Sequence, residues 1–223
     1  MSRPRPNLFK RLSALLLCTA LAGGLVAAGC GGGGGGGGLS NDDPGDNDTN
    51  VVIAFGDSLT AGEVQPSYPA ILTGLIGKTV TNDGSYGSTA AAGSGRCSTV
   101  ISKRKGAYML VLYGINDILF GRSTSQISGS LESIVNTCRN KHVVPVLATY
   151  PIPIHGHEIF AGATYRLNNA IRNLASQYGL KCVDLEKEFL DGSDPDPALY
   201  LDDGLHPNAE GNQIIALAFA DLF

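Results

Sequence analysis

Positive charge is scarce where a polyanion would need it. Of 16 basic residues, Arg3, Arg5, Lys10 and Arg11 precede position 30, while all 20 acidic residues follow it, so everything after position 29 holds 12 cations against 20 anions, a net −8. This excludes nucleic acid as a partner, because affinity for a phosphate backbone is carried largely by cations. The basic cluster Lys103-Arg104-Lys105 reads as a solvated helix end or loop. Long apolar runs are equally few. The stretch Leu12 to Ala28 has 17 residues interrupted by Thr19, Gly23 and Gly24, marginal for a hydrocarbon core of ~30 Å, which disfavours a permanent membrane span. Metal ligands are thin as well. His155-Gly156-His157-Glu158 sets two histidines beside a carboxylate, but no matching set occurs elsewhere. That segment is read as a loop lining a pocket, and no metal or cofactor is expected.

What the N-terminus does contain is a positive patch, the apolar stretch, and the small residues Ala27-Ala28-Gly29 before Cys30. Residues 1–29 are therefore expected to be an export signal peptide. Ala27-Ala28-Gly29-Cys30 resembles a bacterial lipobox, which implies acylation of Cys30 and a membrane-anchored lipoprotein facing the periplasm or cell exterior. Ala27 stands where a lipobox usually has Leu, so cleavage by an ordinary signal peptidase stays open. Gly31 is not the Asp associated by resemblance with inner-membrane retention, which points to the outer membrane. Gly31 to Gly38 and the acidic run Asn41 to Asn50 lack the side chains to build a core, so residues 30–50 are expected to be a flexible tether, with or without an anchoring role. The folded domain is then 51–223. Its cysteines are Cys97, Cys138 and Cys182. One disulfide and one free thiol is the natural count for an exported chain. Cys182 sits in a short apolar run read as a buried strand, so a Cys97–Cys138 bridge is the expected pair, with separately buried thiols as the alternative.

From Val51 onward, short apolar runs alternate with helix-period segments, the pattern of a parallel sheet covered on both faces. The runs are Val51 to Phe55, a weaker one near Thr79 to Asn82, Tyr108 to Tyr113, Val143 to Thr149, and Leu180 to Leu185. Between them Ile127, Leu131, Ile134, Val135 and Cys138 recur at helical spacing, as do Leu167, Ala170, Ile171, Leu174, Ala175 and Tyr178 before Gly179. A last helix starts near Asn208 and turns Ile214, Ile215, Leu217, Ala218 and Leu222 inward. Such a βαβ series implies a doubly wound α/β fold with five parallel strands, whose ligands bind beyond the carboxyl ends of the strands. Reactive residue types do fall there. Gly56-Asp57-Ser58-Leu59 follows the first run, Gly114-Ile115-Asn116-Asp117 the third, and a segment rich in Pro and His the fourth.

These segments, with Asn82-Asp83-Gly84-Ser85-Tyr86-Gly87 and Asp203-Gly204-Leu205-His206-Pro207, resemble the ordered sequence blocks of SGNH/GDSL hydrolases, and together they span residues 56 to 207. The resemblance implies a flavodoxin-like three-layer α/β/α sandwich and hydrolysis of esters or thioesters. No Gly-x-Ser-x-Gly elbow is present, which argues against the α/β-hydrolase fold.

The chemistry explains why these residue types are needed. A serine hydroxyl is a weak nucleophile until a base takes its proton, and a strand-to-helix turn exposes Ser58 at the rim of the sheet. His206 is the candidate base. Asp203 would hold its other ring nitrogen, matching the family's Asp-x-x-His block, with Asp202 the competing orienter. By resemblance the oxyanion donors are the backbone N–H groups of Ser58 and Gly87 and the side-chain amide of Asn116. Each is worth about 3 kcal/mol in comparable sites. Asp57 is read as supporting the turn. The expected function is ester or thioester hydrolysis through an acyl-enzyme on Ser58, acting on an acyl lipid or an acetylated glycan. The alternatives are glycan O-deacetylation or transacylation by the same triad, or a binding module whose serine is unused.

Overall fold

The computed structural model describes residues 44–223. The expected export signal, acylated Cys30 and glycine tether lie outside the described residues. The apolar runs form strands, and the central ones are buried on both faces. β1 (Asp48–Gly56), β2 (Thr79–Gly84), β3 (Gly106–Leu112), β4 (Val144–Ala148) and β5 (Cys182–Val183) make a five-stranded parallel sheet in the order β2-β1-β3-β4-β5. Helices fill the crossovers. α1 (Ser58–Ala61) and α2 (Tyr68–Ile76) follow β1, and α3 (Ala90–Arg104) follows β2. α4 (Ile115–Leu119) and α5 (Thr124–Asn140) follow β3, and α6 (Ala161–Tyr178) follows β4. α7 (Leu185–Glu188) and α8 (Ala209–Ala220) follow β5. α2 packs on α8, with Tyr68 stacked on Phe219 at 5.4 Å between centroids, while α3, α5 and α6 pack in series. This is the expected three-layer α/β/α sandwich with the flavodoxin-like strand order.

Local signals account for the helix limits. Ser123 and Gln126 close a capping box at the start of α5, and its apolar stripe Ile127, Leu131, Ile134, Val135 and Cys138 is buried. Gly179 ends α6 in the left-handed conformation at φ 64°. Asn208 caps α8 by accepting from the N–H groups of Glu210 and Gly211.

Three expectations need correction. β1 begins at Asp48, because Asp48 pairs with Gly106 and donates its N–H to Lys105 O. Asn47 further ties the chain to the carbonyls of Lys141 and His142 at 2.9 Å each, so the end of the acidic run is domain rather than tether. β5 is shorter than Leu180 to Leu185, since Asp184 leaves the strand to cap α7 and bind Arg172. Cys97 and Cys138 form no disulfide. Both buried thiols instead crowd Met109, whose sulfur lies 3.9 Å from Cys97 and 3.5 Å from Cys138, and they pack there as small soft hydrophobes.

Candidate active site

In this strand order the chain reverses direction across β1 and β3, so the loops leaving their carboxyl ends diverge and open a crevice. Asp57 and Ser58 leave β1 into α1, and Asn116 and Asp117 lie in α4 after β3. The β2 loop joins them. Ser85 N–H donates to Gly56 O at 3.0 Å, and Asn116 Nδ2 donates to Ser88 O at 3.1 Å. Gly84 must be glycine, because a Cβ there would sit 2.1 Å from the Ala61 nitrogen.

The two segments carrying Ser58 and the Asp203–His206 pair do converge. Ser58 Oγ lies 2.9 Å from His206 Nε2, and His206 Nδ1 lies 2.6 Å from Asp203 Oδ2. Asp203 Oδ1 accepts from the N–H groups of Leu205 and His206 at 2.9 and 3.0 Å, so one carboxylate oxygen shapes the loop and the other faces the ring. Burial acts to raise the Asp203 pKa. The hydrogen bonds from the His206 ring and from the two N–H groups outweigh it and hold the carboxyl below its ordinary value. Asp202 makes no hydrogen bond to the ring.

The donor groups are placed as follows. Among the described residues, neither the Ser58 N–H nor the Gly87 N–H has a protein acceptor. Asn116 keeps a second amide hydrogen beyond the one given to Ser88. Gly87 closes the turn that joins Ser88 N–H to Ser85 O, at φ 66°, and a Cβ there would meet nothing within 4 Å. Glycine is needed at this point for its backbone conformation, and the space in front of it is open.

Several supporting residues were not singled out by sequence reasoning. Tyr150, just past β4, donates its hydroxyl to Asp57 Oδ2 at 2.6 Å, while Asp57 Oδ1 caps α1 by accepting from Leu59 N–H. Burial raises the Asp57 pKa to about 7, against the lowering effect of those two hydrogen bonds. Buried Asn168 grips the backbone N–H and C=O of Tyr150 at 2.8 Å each. The loop after β4 also docks the Asp203–His206 loop. Ile154 N–H donates to Gly204 O at 2.8 Å, Tyr200 OH donates to Ile152 O at 2.9 Å, and the His157 ring nitrogen Nδ1 lies 2.8 Å from Asp203 O. His157 therefore braces the loop. A separate cavity of about 510 Å³, lined by Asp46, Asn47, Ile101, Ser102, Lys105, Lys141 and His142, lies at the amino end of the sheet and holds none of these groups.

A family model described as the GDSL-like lipase/acylhydrolase family matches residues 54–214. The chain is similar to thioesterase 1/protease 1/lysophospholipase L1 of Escherichia coli, 27% identical over 176 residues that cover 75% of this chain and 80% of that protein. It is also similar to arylesterase of Vibrio mimicus, 24% identical over 173 residues, 74% of this chain and 84% of the relative. Among solved structures, the lipase/acylhydrolase from Enterococcus faecalis has the same fold, with a TM-score of 0.69 at 20% identity over 77% of this chain and 94% of that one.

Proposed function

The chain belongs to the GDSL-like lipase/acylhydrolase family, and we propose that it hydrolyses carboxylic esters or thioesters in two acyl-transfer steps carried by Ser58. The observation that supports this most is the continuous path from Ser58 Oγ through the His206 ring to Asp203, at 2.9 and 2.6 Å. With Nδ1–H donated to the ionised Asp203, Nε2 is left unprotonated and accepts the Ser58 proton as Oγ attacks the acyl carbon. The carbonyl electrons move onto oxygen, which the N–H groups of Ser58 and Gly87 and the Asn116 amide stabilise. His206 then gives the proton to the departing alcohol or thiol. Water, deprotonated by the same imidazole, releases the acid and restores Ser58.

Tyr86, Phe120 and Ile159 are 59%, 67% and 83% exposed, on the loops leaving the carboxyl ends of β2, β3 and β4. An apolar rim of this kind favours an acyl or aryl group with substantial apolar surface over a bare acetyl group on a glycan. The names of the relatives, a thioesterase and lysophospholipase and an arylesterase, agree with it. We further propose that the enzyme is exported and held at a membrane through Cys30, which mass spectrometry of the mature N-terminus tests directly.

Ser58→Ala is expected to lower turnover of an activated aryl ester by at least about 10³-fold without moving the unfolding midpoint. Retained turnover in that variant would end the assignment. A panel graded by acyl length, with glycerol and sugar leaving groups, separates a lipid esterase from a glycan deacetylase. Adding an acceptor alcohol detects transacylation.

A further inference from the structure

α3 carries a guanidinium that no carboxylate accepts from among the described residues. Arg96 instead reaches back under the carboxyl edge of the sheet. Its Nη2 donates to Gly56 O at 3.1 Å and to Asp83 O at 2.5 Å, and its Nε donates to Tyr113 OH at 3.1 Å. Nη2 also contacts the Tyr113 hydroxyl. The guanidinium lies 4.3 Å from the centroid of the Phe55 ring, which fixes its plane. The Asp83 carboxylate is occupied by Thr81 and by both Nε and Nη2 of Arg104, so Arg96 takes the Asp83 carbonyl. Tyr113 is held in turn by Gly93, where a Cβ would come within 2.8 Å of its ring.

The three partners of Arg96 share a consequence. Gly56 precedes Asp57 and Ser58 at the end of β1, Asp83 is the next-to-last residue of β2 on the way to Gly87, and Tyr113 directly follows β3 ahead of Asn116. One rigid fork thus holds the roots of the three loops that carry the proposed oxyanion donors. We infer that Arg96 is a positioning residue that sets the spacing of the Ser58 N–H, the Gly87 N–H and the Asn116 amide. This inference rests on the acyl-transfer reading given above. Lysine cannot take the place of arginine here, because an ammonium on a flexible stem is not a planar fork able to span carbonyls of two strands. Donors out of place by a fraction of an ångström stabilise the bound ester nearly as well but the oxyanion much less, so the effect falls on kcat.

The test is kinetics of Arg96→Met, Arg96→Lys and Ser58→Ala in the full chain, with kcat expressed per active site titrated by a fluorophosphonate. Arg96→Met is expected to lower kcat per titrated site by about 10- to 100-fold while KM moves less than about 3-fold. A boronic acid that mimics the tetrahedral state should lose affinity by the same factor as kcat/KM, and the pH profile should keep its shape because the Ser58–His206–Asp203 path is untouched. Arg96→Lys should fall between. A purely structural role would instead lower the fraction of titratable sites and leave kcat per site at the wild-type value, and that result overturns the inference. If Arg96→Met does not fold, Tyr113→Phe carries the test. It removes only the hydroxyl anchor and should lower kcat per site by about 2- to 5-fold, and an unchanged value there overturns the inference equally. Turnover in Ser58→Ala close to the wild-type level would sink the acyl-transfer reading itself, whereas a Ser58→Ala variant that loses at least about 10³-fold beside an unaltered Arg96→Met sinks the Arg96 assignment alone.

Discussion

Two carboxylates, one capping the turn that carries Ser58 and one bonded to the His206 ring, are shifted in opposite directions. Asp57 lies beneath Ser58, fully buried, its two oxygens taken by Tyr150 OH and Leu59 N–H, and burial drives its pKa up to about 7. The side chain of Asp203 is 39% exposed at the tip of a loop, where hydrogen bonds from the His206 ring and from two N–H groups keep its carboxyl below its ordinary value. Environment, more than residue type, divides the work. The first carboxyl organises the nucleophile turn from inside the core, and the second is free to face an imidazolium as a full anion. The two halves of the site also differ in what holds them. The nucleophile turn is built on β1, whereas the Asp203–His206 loop depends on contacts with the loop after β4.

The largest effect expected from this contrast is on the exposed side. Asp203→Asn should lower kcat/KM by about 10³- to 10⁴-fold with little change in thermal stability, since an amide oxygen still accepts the two N–H groups but leaves the ring in the wrong tautomer. A loss below tenfold in steady-state kinetics would move the orienting role to Asp202. Next comes the dock between the loops. Gly204 and Gly87 both sit at φ 66°, but a Cβ on Gly204 would lie 2.0 Å from Ile154 O, while one on Gly87 meets open space. Gly204→Ala should therefore cost about 2–4 kcal/mol in a denaturant titration and Gly87→Ala only about 1 kcal/mol. Equal losses would mean that backbone conformation alone sets both positions.

On the buried side the effect is on stability and follows pH. The folded-state pKa of Asp57 is above its unfolded value, so its contribution to stability is fully present in acid and is lost as pH rises from about 4 through about 7. Asp203 has the opposite sign, with its contribution present above the ordinary carboxylate pKa and lost as pH falls through its lowered value. Asp57→Asn should accordingly flatten the decline in unfolding free energy between pH 4 and pH 8, by about 2–4 kcal/mol. A pH dependence identical to wild type would show that Asp57 titrates normally. The smallest effect is expected at His157→Ala, which removes the brace on Asp203 O and should lower kcat by about 3- to 10-fold at unchanged KM.

Much of this architecture was legible in the residues. The apolar runs of β1, β3 and β4 and the periodic faces of α5 and α6 stand out because burial on both sides of a sheet, or on one side of a helix, writes its own period. α3 was harder to read, since Ala90-Ala91-Ala92-Gly93-Ser94-Gly95 has small residues where an apolar stripe would show, and small residues are what its approach to Tyr113 requires. Nothing in the sequence singles out Arg96, because its acceptors are two carbonyls and a hydroxyl at the ends of three strands, which no local pattern announces. Asn168 sat on the apparent polar face of α6 for the same reason, its partner being the backbone of Tyr150. The meeting of Ser58 with His206, 148 positions apart, came from the order of the sequence blocks and not from local physics. Counting cysteines misled, because packing around Met109 is as good a fate for two thiols as a bond between them.

The central claim is that the Ser58 hydroxyl is activated by His206. Treatment of the full chain with a fluorophosphonate, followed by intact-mass and peptide mass spectrometry, tests it most directly. The wild type should gain one phosphonyl group on the peptide that contains Ser58, and Ser58→Ala should gain none. An unlabelled wild type, or an adduct on any other residue, would contradict it.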